Sequence, residues 1–169
     1  MPTIDIQIQR FSVVSQRPFD EVIRRLTATI GRPDPKRFHD AVASATTMGE
    51  LETVVRQAVG SSDLLEFVRF DSGDVLRKER GGQGPRMLRL VVGNPLIMKE
   101  MAKAVPDAAS YAPVTILIDE RPDGVHISYD SMASLLAPHG DQDALGIAKD
   151  LDMKVEGLLQ AAACPAALL

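Results

Sequence analysis

The stretch Met87-Leu88-Arg89-Leu90-Val91-Val92-Gly93-Asn94-Pro95 decides how the chain folds. Its first six residues are rich in β-formers and predict a strand. Asn94 then offers a side-chain oxygen to cap a helix whose first position is Pro95, where the missing proline N–H costs nothing. Leu96, Ile97, Met101, Ala102 and Val105 follow at helical spacing, and Pro106 stops the run. Toward the C-terminus, Val114 to Ile118 and Val125 to Tyr129 flank Arg121-Pro122-Asp123-Gly124, the clearest hairpin signal in the chain. Asp141 caps a long helix reaching about Ala163, with Leu145, Ala148, Leu151, Val155, Leu158 and Ala162 as its apolar stripe.

Toward the N-terminus, Gly81-Gly82-Gln83-Gly84-Pro85 reads as a loop. A phosphate-cradling glycine loop needs a helix N-terminus behind it, and this one runs into a strand, so the dinucleotide and P-loop readings fail. Leu64 to Phe70 is β-rich, Asp71-Ser72-Gly73-Asp74 has turn chemistry and Val75-Leu76 resumes an apolar pair, which predicts a hairpin over 64–79. Before it, Phe38, Ala41, Val42 and Ala45 mark one short helix after Pro33 and Pro35. A second short helix starts at the capping box Thr47-Met48-Gly49-Glu50 and closes at Gly60. Phe19, Val22, Ile23, Leu26 and Ile30 predict a helix that begins at Pro18 and ends at Gly31. Ile4-Asp5-Ile6-Gln7-Ile8-Gln9 alternates at period two and continues through Phe11, Val13 and Val14, which predicts an opening strand with Ile4, Ile6 and Ile8 facing the core.

Helices and antiparallel hairpins in this order describe an α+β sandwich, one sheet backed by amphipathic helices. At 169 residues with 45% hydrophobic and 25% charged content, one globular domain over 1–169 is expected, with a helical insert at about 33–60 and a frayed tail after 164. No apolar run is long enough to span a bilayer, and the single Cys164 rules out an internal disulfide or a cysteine metal cluster. We therefore expect a cytoplasmic location and no membrane partner. A net charge of −4 argues against nucleic acid. One basic patch stands out, Arg77, Lys78, Arg80, Arg86 and Arg89 against Glu79.

The strand into Gly93-Asn94-Pro95, the helix start Arg17-Pro18-Phe19-Asp20-Glu21-Val22, the strand pair after Tyr111-Ala112-Pro113 and the closing helix together resemble the domain of unknown function family numbered 302. The resemblance is good over about 85–162, fair over 8–31 and poor over 33–84. It implies a curved antiparallel sheet covered on one face by helices, similar to the TATA-binding-protein-like or helix-grip arrangement. Many relatives carry a cysteine just before Asn-Pro, where this chain has Gly93, so a thiol role there is not open to it. The resemblance brings no reaction with it.

Candidate chemistry is sparse. Alternation on the strand 125–130 places His126, Ser128 and Asp130 on one face, the residue types of a hydrolase triad. Alternate strand residues lie about 7 Å apart, too far for the contacts of about 3 Å that a triad needs, so a polar strand face is expected instead. His39 and His139 have no histidine at i+3 or i+4, which argues against a metal, and no cofactor is expected. Methionines such as Met98 and Met101 read as core filler. The basic patch reads first as a solvated hairpin edge blunted by like charges; in the alternative, the glycine loop would let Arg80 and Arg86, with Arg89 beside them, converge weakly on an anion. The function expected is a non-catalytic small-molecule-binding module with a cleft between the sheet and the long C-terminal helix; Arg80, Arg86, Arg89, Asn94, His126, Ser128 and Asp130 are its candidate contacts. The alternative is a homo-oligomer, such as a homodimer, using sheet edges or the short helices at 36–59, and an unrecognised enzyme is the third reading.

Overall fold

The structure, a computed structural model, describes residues 3–164. The expected tail after 164 lies outside the described residues. Five strands, β1 (Arg10–Ser15), β2 (Leu65–Asp71), β3 (Met87–Gly93), β4 (Val114–Arg121) and β5 (Gly124–Asp130), form one open antiparallel sheet in the order β1-β5-β4-β3-β2. Leu90, Val92, Ile116, Ile118, Val125, Ile127 and Tyr129 project from one face and are buried, whereas the opposite face carries His126, Ser128, Arg89 and Thr115. Period-two alternation on β4 and β5 thus produces a sheet with one dry side.

Helices cover that side. The α-helices in chain order are α1 (Phe19–Leu26), α2 (Pro35–Ser44), α3 (Met48–Ala58), α4 (Ser72–Glu79), α5 (Pro95–Ala104), α6 (Ala108–Tyr111), α7 (Met132–Leu136) and α8 (Gln142–Ala163), of which α1, α5, α6, α7 and α8 contribute to the core. Phe19, Val22 and Leu26 of α1, Met101 of α5 and Leu151, Val155 and Leu159 of α8 join the buried sheet residues in one apolar cluster. The N-caps Asp34, Thr47 and Asp141 each accept a backbone N–H of their own first turn, and Thr47 and Glu50 form the expected capping box. Two glycines let the chain cross itself before β2. A Cβ on Gly31 would lie 1.9 Å from the Ala58 carbonyl, and one on Gly60 2.0 Å from that of Thr29. This close approach lets the Gly31 N–H bond Leu64 and the Gly31 carbonyl accept from Glu66, which starts β2 on the sheet edge.

Four expectations need correction. Residues 4–8 are not a strand: β5 gives way to α7 just past Asp130, so the chain before Arg10 has no strand to pair with, and Ile4 and Ile8 are 70% and 51% exposed. The 64–79 hairpin is instead β2 followed by α4. Asp71 caps the helix through the Asp74 N–H, while Lys78 bonds Asp74 and Arg77 bonds Asp71, so the same Asp-Ser-Gly-Asp chemistry that suits a turn here starts a helix held by ion pairs. The first helix ends at Leu26, earlier than Gly31. On α8 the buried phase is Ala144, Ala148, Leu151, Asp152, Val155, Leu159 and Ala162, with Leu145 and Leu158 at its flanks.

A carboxylate sits inside that stripe. Asp152 Oδ1 accepts from the Tyr129 hydroxyl at 2.5 Å and the Met132 N–H at 2.8 Å; Oδ2 accepts from the Ser131 hydroxyl at 2.6 Å and the Ala133 N–H at 3.0 Å. One buried side chain therefore satisfies the first N–H groups of α7 and anchors α8 to the end of β5. Burial, and then the neighbouring Asp152 charge, raise the Tyr129 phenol above its ordinary value.

Replacing Asp152 by Asn turns an acceptor into a donor against two of these groups and should cost about 3 kcal/mol in urea unfolding. Because the folded-state pKa of Tyr129 is raised, its contribution to stability is complete below about pH 10 and is lost as pH climbs further. In a Tyr111→Phe chain, whose one remaining tyrosine is Tyr129, tyrosinate absorbance should therefore rise together with the loss of circular dichroism and not before it.

Candidate functional site

Asn94 is the corner from which the candidate site is built. β3 delivers it at Gly93, α5 starts at Pro95, and the side chain is 7% exposed. Its Oδ1 accepts from the Leu96 N–H at 2.8 Å, the expected cap, while Nδ2 donates to the carbonyl of Asp63 at 3.0 Å and to its Oδ1 at 3.1 Å. Asp63 holds φ of +61°, and its other carboxylate oxygen takes the Lys154 ammonium of α8 at 2.7 Å. One amide thus ties together a helix start, the loop before β2 and, through Asp63, the C-terminal helix.

Beside this corner an apolar cleft of about 140 Å³ opens at the end of the sheet, lined by Phe67, Ile97, Met98, Pro113, Val114 and Leu151. Gly93 forms part of its wall. A Cβ there would sit 3.1 Å from Pro113 Cβ and 3.6 Å from the Phe67 ring, so the missing side chain keeps the space open. A second hollow of about 310 Å³ adjoins it, sharing Phe67 and Pro95 and bounded by Pro33, Phe38 and Val42. Phe38 meets Phe67 edge to face at 6.2 Å between ring centres. Farther along α8, among the described residues, the gap between helix and sheet is filled by Val155 and Leu159, both fully buried.

The remaining sequence-predicted residues are not gathered here. His126, Ser128 and Asp130 do share the polar sheet face, yet each side chain looks elsewhere. His126 Nε2 lies 2.9 Å from Asp123 Oδ1, and Asp130 takes Arg10 in a two-point pair at 2.6 and 2.8 Å. These contacts hold the Asp123 and Asp130 carboxyls below the usual range. Ser128 lies midway on that face, opposite Ser12 and Leu117, beside a hollow of about 210 Å³ that also touches Arg10, Tyr111 and Asp130. The Arg10–Asp130 pair neutralises that hollow.

The basic patch is likewise divided. Arg86 pairs with Asp20 at both ends of its guanidinium and stacks 4.3 Å above the Phe19 ring, Arg77 turns to Asp71, and Arg89 lies on the open face 3.4 Å from Thr115 Oγ1 and over Phe70. Arg80 closes α4, exposed. In this structure Arg86 is paired with an acid from α1 and Arg80 stands apart from it. Among the described residues, no group of three His, Cys, Asp or Glu side chains is placed to hold a metal ion, and no helix is long and apolar enough to cross a membrane.

Sequence reasoning missed Asp63, Phe67, Pro113 and Asp152. The first three come from separate segments and left no local signal. Asp152 did leave one, an acid in phase with Ala148 and Val155 on an apolar helix face.

An open antiparallel sheet with a one-sided helical cover and an apolar end-cleft defines an α+β protein of the kind the sequence suggested. Residues 39–162 match the family described as Domain of unknown function DUF302, and the chain belongs to that family. Its fold is similar to that of an uncharacterized conserved DUF302 protein from Bacillus stearothermophilus, with a TM-score of 0.61 at 14% identity, covering 90% of this chain and 97% of that one. Among curated proteins nothing matches.

Asn94→Ala removes the cap and both bonds to Asp63, so urea unfolding should show a loss of about 2 kcal/mol, more than the roughly 1 kcal/mol of a cap alone. Ser128→Ala, with no such partners, should stay within about 0.5 kcal/mol of the parent.

Proposed function

We propose that this protein binds a small apolar molecule, without transforming it, in the end-cleft beside Gly93-Asn94-Pro95. The observation that carries the reading is the contrast within the site: an apolar lining of Phe67, Ile97, Met98, Pro113 and Leu151 set against a corner held by the Asn94 hydrogen bonds. A cleft whose wall is fixed before binding loses little entropy when it is filled. With the adjoining hollow it reaches the scale of small-molecule sites, about 300–1,000 Å³. The polar side chain at the lining, Asn94, is spent on the backbone and on Asp63, which leaves it no role as an acid or base. In this reading α2 and Phe38 form an appendage that extends the cleft, and a cytoplasmic location suits the free, exposed Cys164.

Toluene is a suitable probe, since it is apolar and small enough for the cleft. In full-length protein carrying ¹³C-methyl methionine and isoleucine, titration should shift the Met98 and Ile97 methyl signals to saturation and leave exposed Met153 unmoved. At ten times its Kd, toluene should stabilise the fold by about 1.4 kcal/mol, and Met98→Trp, which fills the space, should abolish both effects. Methyl signals that all drift in proportion, or none that move, would overturn the reading.

A further inference from the structure

Residues 3–9 form an arm without strand pairing, with Ile6 half-buried and Gln7 and Gln9 beside α7 and α8. The arm alternates Ile4, Ile6 and Ile8 with Asp5 and Gln7, yet among the described residues its hydrogen bonds are confined to Gln9. Ile4 and Ile8 belong to the small set of large apolar side chains that stand in water, and so does Val14 of β1, at 45% exposure. The arm runs directly into β1, which is an edge strand with, among the described residues, no strand on its outer side. A period-two segment without a strand partner and an edge without a strand neighbour are complementary.

The backbone directions make the match specific. The Gln9 N–H bonds Ser134 Oγ and the Gln9 carbonyl accepts from Ser131, so both polar groups of Gln9 point inward, toward the body of the protein. Alternation along an antiparallel strand then turns the N–H and C=O of Arg10, Ser12 and Val14 outward, to the free edge, and those of Ile4, Ile6 and Ile8 the same way once the arm is extended. The side chains agree. Arg10, Ser12 and Val14 pair with Asp130, Ser128 and His126 on the uncovered face, and a straight arm puts the three isoleucines on that face as well.

We propose that this chain pairs with a second copy of itself through residues 4–14, each arm adding a strand to the partner's β1 edge about a two-fold axis at Gln9. In this register Ile4 faces Val14, Ile6 faces Ser12 and Ile8 faces Arg10 across the axis, all of them outward-bonding positions. Moving the axis to Arg10 would set two arginines against each other, which the charge forbids. The arrangement is isologous and closes at two copies, since each arm covers the edge that the partner's arm leaves, and it joins two five-stranded sheets into one. It uses the sheet edge opposite to β2 and stands apart from the cleft reading.

Sedimentation velocity of the full chain over a wide concentration range, with reductant present so that Cys164 cannot crosslink, tests this. A monomer–dimer equilibrium is expected, and Ile4→Asp combined with Ile8→Asp should raise its Kd at least about tenfold while leaving the circular dichroism unchanged, because both side chains are exposed. Val14→Glu should act in the same direction. Amide exchange at residues 4–8 should slow with rising concentration in the parent and not in the arm variant. A monomer at every concentration, or a dimer indifferent to the arm changes and sensitive instead to Met48→Glu on α3, would overturn the proposal.

Discussion

Asp152 is the interaction on which the arrangement of this protein depends. A carboxylate removed from water is costly unless its lone pairs are met, and here four donors meet them: one phenol, one hydroxyl and two backbone N–H groups. All four come from the short segment Tyr129–Ala133, where β5 becomes α7. The long helix therefore has one allowed rotation about its axis, the one that delivers Asp152 to that segment. An apolar residue at this position would pack, but it would leave the first turn of α7 with unpaired donors.

That rotation sets the cleft. Leu151 precedes Asp152 and lines the cavity, and Lys154, two positions on, reaches Asp63. Asp63 in turn receives the Asn94 amide, so the buried carboxylate and the capped corner, both at the end of the sheet where β3 and β5 finish, are connected through a single helix. The site is a by-product of how the core closes: Val155 and Leu159 fill the helix–sheet gap farther along, and at Gly93 the absence of a side chain leaves space that the neighbouring Pro113 and Phe67 do not fill. A methyl group at Gly93 would already press on Pro113, and a larger side chain would reduce the cavity that the proposed ligand needs.

Much of the fold was legible because its signals are local. The Asn94–Pro95 helix start, the Thr47 capping box and the β4–β5 hairpin each occupy a few consecutive residues whose chemistry admits one reading, and the structure contains all three. The errors fall where the outcome depended on something distant. Asp71-Ser72-Gly73-Asp74 suits a turn or a helix start, and the choice went to the helix through ion pairs with Arg77 and Lys78. Ile4, Ile6 and Ile8 carry a true strand pattern, but β5 ends before it can serve them. The candidate site fared unevenly for the same reason. Asn94 was found by its cap, whereas Phe67, Pro113 and Leu151 reach the cleft from three segments that only the sheet order brings together.

The arginines show how guanidinium groups of this protein are engaged within the chain. Arg86, Arg77 and Arg10 each find a carboxylate from another element or strand position, namely Asp20, Asp71 and Asp130, and two of these pairs are bidentate. Such pairs on partly exposed side chains add little stability, typically below about 1 kcal/mol each, but they consume the donors that an anion would need. A phosphate competing for Arg86 would have to displace Asp20 and give up the stacking on Phe19. Arg80 and Arg89 of the same patch have no such carboxylate partner among the described residues. Among the described residues, apolar surface is left open in the end-cleft and at Ile4 and Ile8 of the arm. Filling the cleft or covering the arm would bury that apolar surface, the change that lowers the free energy.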